Sequence, residues 1–425
     1  MSAQDAEKVA IGKLPAPGGR QTSKAIAAME NIPARLKVLH FFKVYLPESV
    51  GGVEQVIYQL CESSGRFGVE GEVLALSSST VEQPQRVGGH LVHQVRRNFS
   101  LASTGVSWQA IGKLRELAEQ ADVIHYHFPW PFMDVAHYLA GIRKPNVVTY
   151  HSDIIRQKHL LRIYRPLMRR FLGQTDRIIV TSPNYFATST ILGEFKDKVT
   201  VIPIGLDRAS YPAANKETLS RWTERLGDER FFLFIGVMRY YKGLHILLNA
   251  LQGTSLKVVI VGAGPLEREL RRQAEALCVD QNLVFLGRVE EDDKIALLEL
   301  CYGVVFPSHL RSEAFGISLL EGAMFGKPLI SSEIGTGTSY INIHGETGLV
   351  VPPNDPEAFR SAMQRLWDDP ALAAQMGSRA VERFQQLFTA ESMAHRHSEL
   401  YREVLAEHLW GDNSQLAVEN AERFI

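Results

Sequence analysis

The chain has 425 residues, 45% of them apolar, which is enough for two or three domains with real cores and excludes a disordered polypeptide. Its 46 Lys and Arg against 47 Asp and Glu leave a net charge of −1, too balanced for bulk nucleic-acid binding, so a charged partner must be met by a local patch. Cys61, Cys278 and Cys301 have no CxxC spacing and point to a reducing, cytoplasmic setting; no apolar run reaches the roughly 18 residues of a membrane-spanning helix, and no signal peptide is expected.

Residues 1–34 mix Gly, Pro, Ala and Lys without a sustained apolar face and are expected to be a mobile tail. From residue 35 onward, 37–41 reads as a buried strand, Gly51-Gly52 as a turn and 53–61 as a helix. The alternation continues with a strand at 72–76, a helix at 108–121, and strands at 122–125, 146–150, 176–181 and 199–202. Periodicity lapses over 204–215, where Pro203, Gly205 and Pro212 suggest an interdomain linker. A second series follows, with strands at 231–235, 256–261, 282–285, 303–306 and 328–331 and helices at 243–251 and 265–277. A last amphipathic helix is expected from about 390 to 409. Short apolar strands alternating with helices imply parallel sheets covered on both faces, so the fold class is α/β with two doubly wound, Rossmann-like domains, 35–205 and 206–389. Ligands of such sheets lie outside the carboxyl ends of the strands.

The strongest chemical signal is the segment from Ser312 to Gly322, directly after a predicted strand. A helix beginning near Gly316 presents free amides that favour an anionic or hydroxyl-rich ligand. Glu313 precedes that terminus, and Glu321 lies about 7.5 Å further along the axis. Two acceptors so spaced suit two parts of one polyol; the alternative is that Glu313 caps the helix and Glu321 is solvated. Arg239 and Lys242 lie between the first strand and first helix of the second domain, where fixed cations can neutralise a departing diphosphate without a metal. Gly51 and Gly52 let backbone approach a phosphate, although such glycines also make plain turns. His151 ends a strand and is expected to face the ligand side, whereas His125 and His127 are expected at the surface. None of the 14 histidines shows HExxH or comparable metal spacing. Between 154 and 172 stand Arg156, Lys158, Arg162, Arg165, Arg169 and Arg170 with no acid, interleaved with apolar residues. Such a segment suits either an anionic membrane or a core-facing helix with a solvated basic face.

The E-x7-E pair Glu313 and Glu321, the glycine loop, His151, the Arg-Tyr-Tyr-Lys-Gly loop and Gly345-Glu346-Thr347-Gly348 together resemble the retaining glycosyltransferases of family 4 (group 1). The resemblance spans most of 35–410 and is nearest to bacterial polysaccharide and O-antigen mannosyltransferases. It implies the GT-B fold, two domains facing a cleft, with the helix of 390–425 crossing back to the first. It further implies that Glu313 meets the donor sugar, amides of Phe315, Gly316 and Ile317 meet sugar or diphosphate, and Glu321 holds the ribose. Gly51 and Gly52 would close on the diphosphate, His151 would bond the sugar, Asp153 would orient acceptor or histidine, and Val289 and Glu290 would border the base. The usual Arg directly after the glycine is replaced here by Val237. The implied reaction moves a sugar, in first place mannose from GDP-mannose, with GDP-rhamnose and then a UDP-sugar as the other donors, to a hydroxyl of a lipid-linked glycan, with no metal or cofactor and no nucleic acid. The implied setting is cytoplasmic, at the inner membrane face. An epimerase or a non-catalytic nucleotide-sugar-binding subunit of the same fold is the alternative.

Overall fold

The structure is a computed structural model that describes residues 32–49, 51–79, 83–101, 104–154 and 158–422, with backbone alone for 101, 158–160 and 411–422. The expected tail lies outside the described residues up to residue 31, as does Arg156 of the basic segment. The chain forms two compact units. One takes in the chain to Pro183, Ser189–Gly205 and the chain from Ala390; the other is Asn184–Thr188 with Leu206–Thr389.

The first unit is built on β1 (Leu36–Phe42), β2 (Val69–Ser77), β3 (Gln85–Val87), β4 (His90–Arg96), β7 (Val123–Phe128), β8 (Asn146–Tyr150), β9 (Arg177–Val180) and β10 (Val199–Val201), with β5 (Phe99–Leu101) and β6 (Thr104–Val106) as a separate hairpin. The sheet order is β10-β9-β8-β7-β1-β2-β4-β3, parallel throughout except for β3 on β4. The step from β1 to its two neighbours β2 and β7 is the topological switch point, so the loops after β1 and β7 flank the ligand side of this sheet. Helices cover both faces, and every residue of β7 is buried. His125 and His127 are therefore interior residues, not surface ones: a strand with helices on both faces has no solvated side for them. The final helix, Ala390–Glu422, packs on the helix Gly52–Ser64 of the same unit. Its Arg402 donates to Phe67 O at 2.9 Å, and Glu403 and Glu407 both pair with Arg177.

The second unit carries β11 (Phe232–Ile235), β12 (Val258–Val261), β13 (Leu283–Gly287), β14 (Gly303–Phe306), β15 (Leu329–Ser332) and β16 (Gly348–Val351). Their order, β13-β12-β11-β14-β15-β16, is parallel throughout and is that of the doubly wound dinucleotide-binding sheet. Phe232, Leu247, Ile260, Val305 and Ile330 lie in its core. The stretch read as a linker is packed: Leu206 and Tyr211 are buried, and Asn215 caps the helix Lys216–Leu226 by accepting from Thr218 N at 2.7 Å.

Candidate active site

In the second unit the switch point falls between β11 and β14, and the loops that leave their carboxyl ends carry the predicted cations and the first glutamate. The two loops touch through backbone. His309 N donates to Tyr241 O at 3.0 Å, and Gly243 takes φ +71°, where an added Cβ would lie 1.9 Å from Pro307 O. Only glycine allows that approach. It delivers the Lys242 ammonium to 2.5 Å from Glu313 Oε2, which also accepts from Ser308 Oγ at 3.1 Å. Both side chains are nearly buried, and Lys242 sits 4.9 Å over the Phe306 ring. Arg239, three residues earlier, is exposed instead.

The helix Ile317–Met324 begins at Gly316, which takes φ +104° and caps with no side chain. Glu313 thus does not cap it, and the first amides have no intrahelical acceptor. Phe315 is buried, Ile317 half-buried, and Gly337 N clamps the loop through Ala314 O at 2.9 Å. Glu321, on this helix, is buried rather than solvated. Its Oε1 accepts from Lys294 Nζ at 2.7 Å and from Tyr211 Oη at 3.0 Å. Lys294 also reaches Glu291 at 2.7 Å. Burial disfavours the Lys294 ammonium, but the two carboxylates outweigh it and hold its pKa above the ordinary value. Val289 is half-buried and Glu290 exposed, at the end of the edge strand β13.

In the first unit Gly51 is the N-cap of the helix Gly52–Ser64, and the space beside its Cα is filled by Glu54, whose carboxylate accepts from Ser49 Oγ at 2.8 Å. That anion already stands at the helix N-terminus, where the dipole favours it. His151 is nearly buried: its N donates to Phe128 O at 3.0 Å, and its Nε2 meets His127 Nδ1 at 3.1 Å. Burial, with the nearby Lys43 and His397, lowers its pKa to about 3, so the ring is neutral. Asp153 Oδ1 accepts from the hydroxyls of Tyr150 and Ser189, each at 2.9 Å. The basic segment forms the helix Lys158–Gln174. Met168, Phe171 and Leu172 face the core; Arg162 and Arg165 are exposed beside Ile163, which is 81% exposed. Arg169 pairs with Glu194 at 2.6 Å, and Arg170 lies over the Tyr138 ring. Among the described residues no helix is long and apolar enough to cross a membrane.

Sequence reasoning missed Lys294, Tyr211, Ser308 and Glu54. Lys294 is the one cation in Glu290-Glu291-Asp292-Asp293-Lys294, a signal for an ion pair that composition alone passes over. Tyr211 is hidden in the punctuated stretch.

Residues 215–383 match the family Glycosyl transferases group 1, and residues 50–210 match Glycosyltransferase Family 4. The chain is 63% identical to the D-rhamnosyltransferase WbpZ of Pseudomonas aeruginosa over 84% of its own length and 93% of that protein. It is 46% identical to the O-antigen chain mannosyltransferase C of Escherichia coli, over 87% of this chain and 99% of the other. In fold it is similar to sucrose-phosphate synthase from Thermosynechococcus elongatus, with TM-score 0.70, 21% identity and coverage of 88% of this chain and 100% of that one. Anabaena Alr3699/HepE, solved with UDP and glucose, superposes with TM-score 0.69 at 21% identity, over 86% of this chain and 99% of that one.

Proposed function

The chain belongs to the family 4, group 1 glycosyltransferases of GT-B fold, and from that membership we propose that it moves D-rhamnose or mannose from a GDP-linked donor to a hydroxyl of a growing O-antigen glycan, with retention. The observation that carries the reading is the Lys242–Glu313 pair, 2.5 Å apart at the β11/β14 switch point and one helical segment away from the anchored Glu321. A diphosphate bound at the amides of Ile317 and its neighbours brings negative charge to Lys242. As the sugar–phosphate bond breaks, the ammonium stabilises the growing charge on the leaving oxygen, and Glu313 is released to accept from sugar hydroxyls. Same-face attack by the acceptor hydroxyl, its proton passing to the departing phosphate, gives retention. Glu321, held by Lys294 and Tyr211 on one oxygen, offers the other to a ribose diol.

The two sugars differ by a single hydroxyl, since D-rhamnose is 6-deoxymannose, and the relative at 63% identity favours D-rhamnose over the mannose suggested by sequence motifs. An apolar pocket at C6 rejects an added hydroxyl by only about 100-fold, whereas a site that bonds the hydroxyl rejects its loss by roughly 10⁴-fold or more. The ratio of kcat/KM for GDP-D-rhamnose and GDP-mannose, read as acceptor-dependent GDP release, therefore decides both the sugar and the chemistry of its pocket. Glu313→Gln is expected to lower kcat at least 100-fold, with a fall in melting temperature of no more than roughly 6–12 °C for one charge lost from a nearly buried pair, so that the chain stays folded at the assay temperature. Turnover like that of the unaltered protein would remove Glu313 from the site, and GDP release independent of acceptor would reject transfer. A lipid-linked acceptor at an anionic surface fits the exposed Arg162, Ile163 and Arg165.

A further inference from the structure

Five of the histidines, His40, His125, His127, His151 and His397, are buried together inside the first unit. His40 and His125 are register partners on β1 and β7, and His127 follows on the same face. Two hydrogen bonds thread three of the rings in series: His40 Nδ1 to His127 Nε2, and His127 Nδ1 to His151 Nε2, both at 3.1 Å. Burial, with the neighbouring imidazoles adding to it, keeps the series neutral: His40 is lowered to about 3 and His127 well below the ordinary value.

A neutral imidazole has one N–H and one bare nitrogen, so His127 must donate in one of its bonds and accept in the other. Only two arrangements satisfy both. If His40 donates from Nδ1, His127 donates onward and His151 carries its proton on Nδ1. If His40 accepts, His151 donates from Nε2 and its Nδ1 is bare. The proton positions on His40 and His151, two rings apart, are thus coupled: fixing one fixes the other. His125 steadies the stack, with ring centroids 4.9 Å from His40 and 4.4 Å from His127, and its nitrogens bonded to Tyr401 Oη and Thr149 Oγ1 at 2.7 Å each. Donor atoms of His40, His125 and His127 lie within 4.8 Å of one another, a grouping able to hold a metal, but both nitrogens of His125 and of His127 are already engaged.

We propose that His40 and His127 are positioning residues that, through this series of bonds, hold His151 in one tautomer and so fix whether its Nδ1 gives or takes a hydrogen bond at a substrate hydroxyl. The functional half rests on His151 being a site residue; the tautomer does not.

The test is long-range 1H–15N correlation on the full chain labelled in its histidine side chains, at pH 7.5, with His151→Gln assigning the resonance. His151 should show one protonated and one bare nitrogen without averaging. In His40→Phe, which leaves His127 and His151 in place, it should average between the two. With GDP-D-rhamnose and GDP-mannose as probes, His127→Phe should lower kcat several-fold at little change in KM, and His127→Asn, whose amide still reaches His151, should recover part of it. Averaging in the unaltered protein overturns the proposal even if no variant folds, as does an unchanged His151 in a folded His40→Phe, or a stoichiometric metal found by mass spectrometry. Full turnover by His151→Gln would remove the positioning role while leaving the tautomer result standing, which separates the two failures.

Discussion

Lys294→Met removes the ammonium 2.7 Å from Glu321 Oε1 while keeping most of the side-chain volume. Glu321, with its side chain 5% exposed, then retains the neutral Tyr211 hydroxyl. Stripping one partner from a buried pair costs about 3–5 kcal/mol, and the 17% exposure of Lys294 admits enough water to place the loss near the lower end, about 3 kcal/mol. For a unit of this size that corresponds to a fall of roughly 6–12 °C in melting temperature. Scanning calorimetry of the full chain reads it in the transition of the second unit. The double variant Lys294→Met/Glu321→Gln removes both charges, lets the new amide oxygen accept from Tyr211, and should recover most of the loss. The pH dependence has a definite sign. Because the folded pKa of Lys294 is raised above about 10.5, its contribution is complete below that pH and fades only as pH rises through the folded value. The deficit of the single variant should therefore be constant from pH 6 to 9. A single variant within about 1 kcal/mol of the unaltered protein, or a double variant no better than the single, would refute the buried pair.

Gly243 and Gly253 share nearly the same backbone, φ +71° and +72°, but a Cβ at 243 meets Pro307 O while one at 253 meets open space. Gly253→Ala should cost only the left-handed strain of about 1–2 kcal/mol and stay active; Gly243→Ala should push apart the loops bearing Lys242 and Glu313 and lose activity, and equal behaviour would sink the packing argument. Buried neutral histidines make the first unit acid-sensitive. His40 and His151 near 3 and His397 near 4 stay unprotonated where the unfolded chain, near 6.5, takes up protons, so stability is full above pH 6.5 and falls below it by up to about 1.4 kcal/mol per pH unit for each group. Calorimetry should show the first transition dropping steeply from pH 6.5 to 4.5 and a shallower slope in His40→Phe; parallel slopes would count against it. At about 1 kcal/mol per cation, Arg162→Gln with Arg165→Gln should weaken co-sedimentation with anionic vesicles roughly thirty-fold, while Arg169→Gln, already paired with Glu194, should change little. Unaltered sedimentation of the double variant would reject a membrane role.

Strands such as Val258–Val261 and Gly303–Phe306 were readable because a parallel strand covered on both faces must be apolar along its whole length. The short strands at 85–87 and 99–101 were not, since three residues are too few positions to show a period. His125 and His127 misled for a chemical reason. Imidazole is polar enough to suggest solvent, and what makes its burial tolerable, a partner for each nitrogen, comes from β1, β8 and the final helix, strands and helix far apart in sequence.

The same distinction governs the candidate donor site. The spacing of Glu313 and Glu321 is local, one just before and one within the helix Ile317–Met324, so it can be read along the chain. Their neutralising partners are not: Lys242 comes from the loop after β11, Lys294 from the helix after β13 and Tyr211 from the segment leading into the unit. Because each carboxylate already has its cation, a bound nucleotide diphosphate does not meet two bare anions that would repel it. Under the proposed function it would exchange partners instead, taking Lys242 from Glu313 and leaving that carboxylate to seek hydroxyl donors on the sugar. Recognition of phosphate and of sugar are then coupled through one ion pair, so losing either Lys242 or Glu313 should impair both, a dependence that two independently solvated charges would not produce.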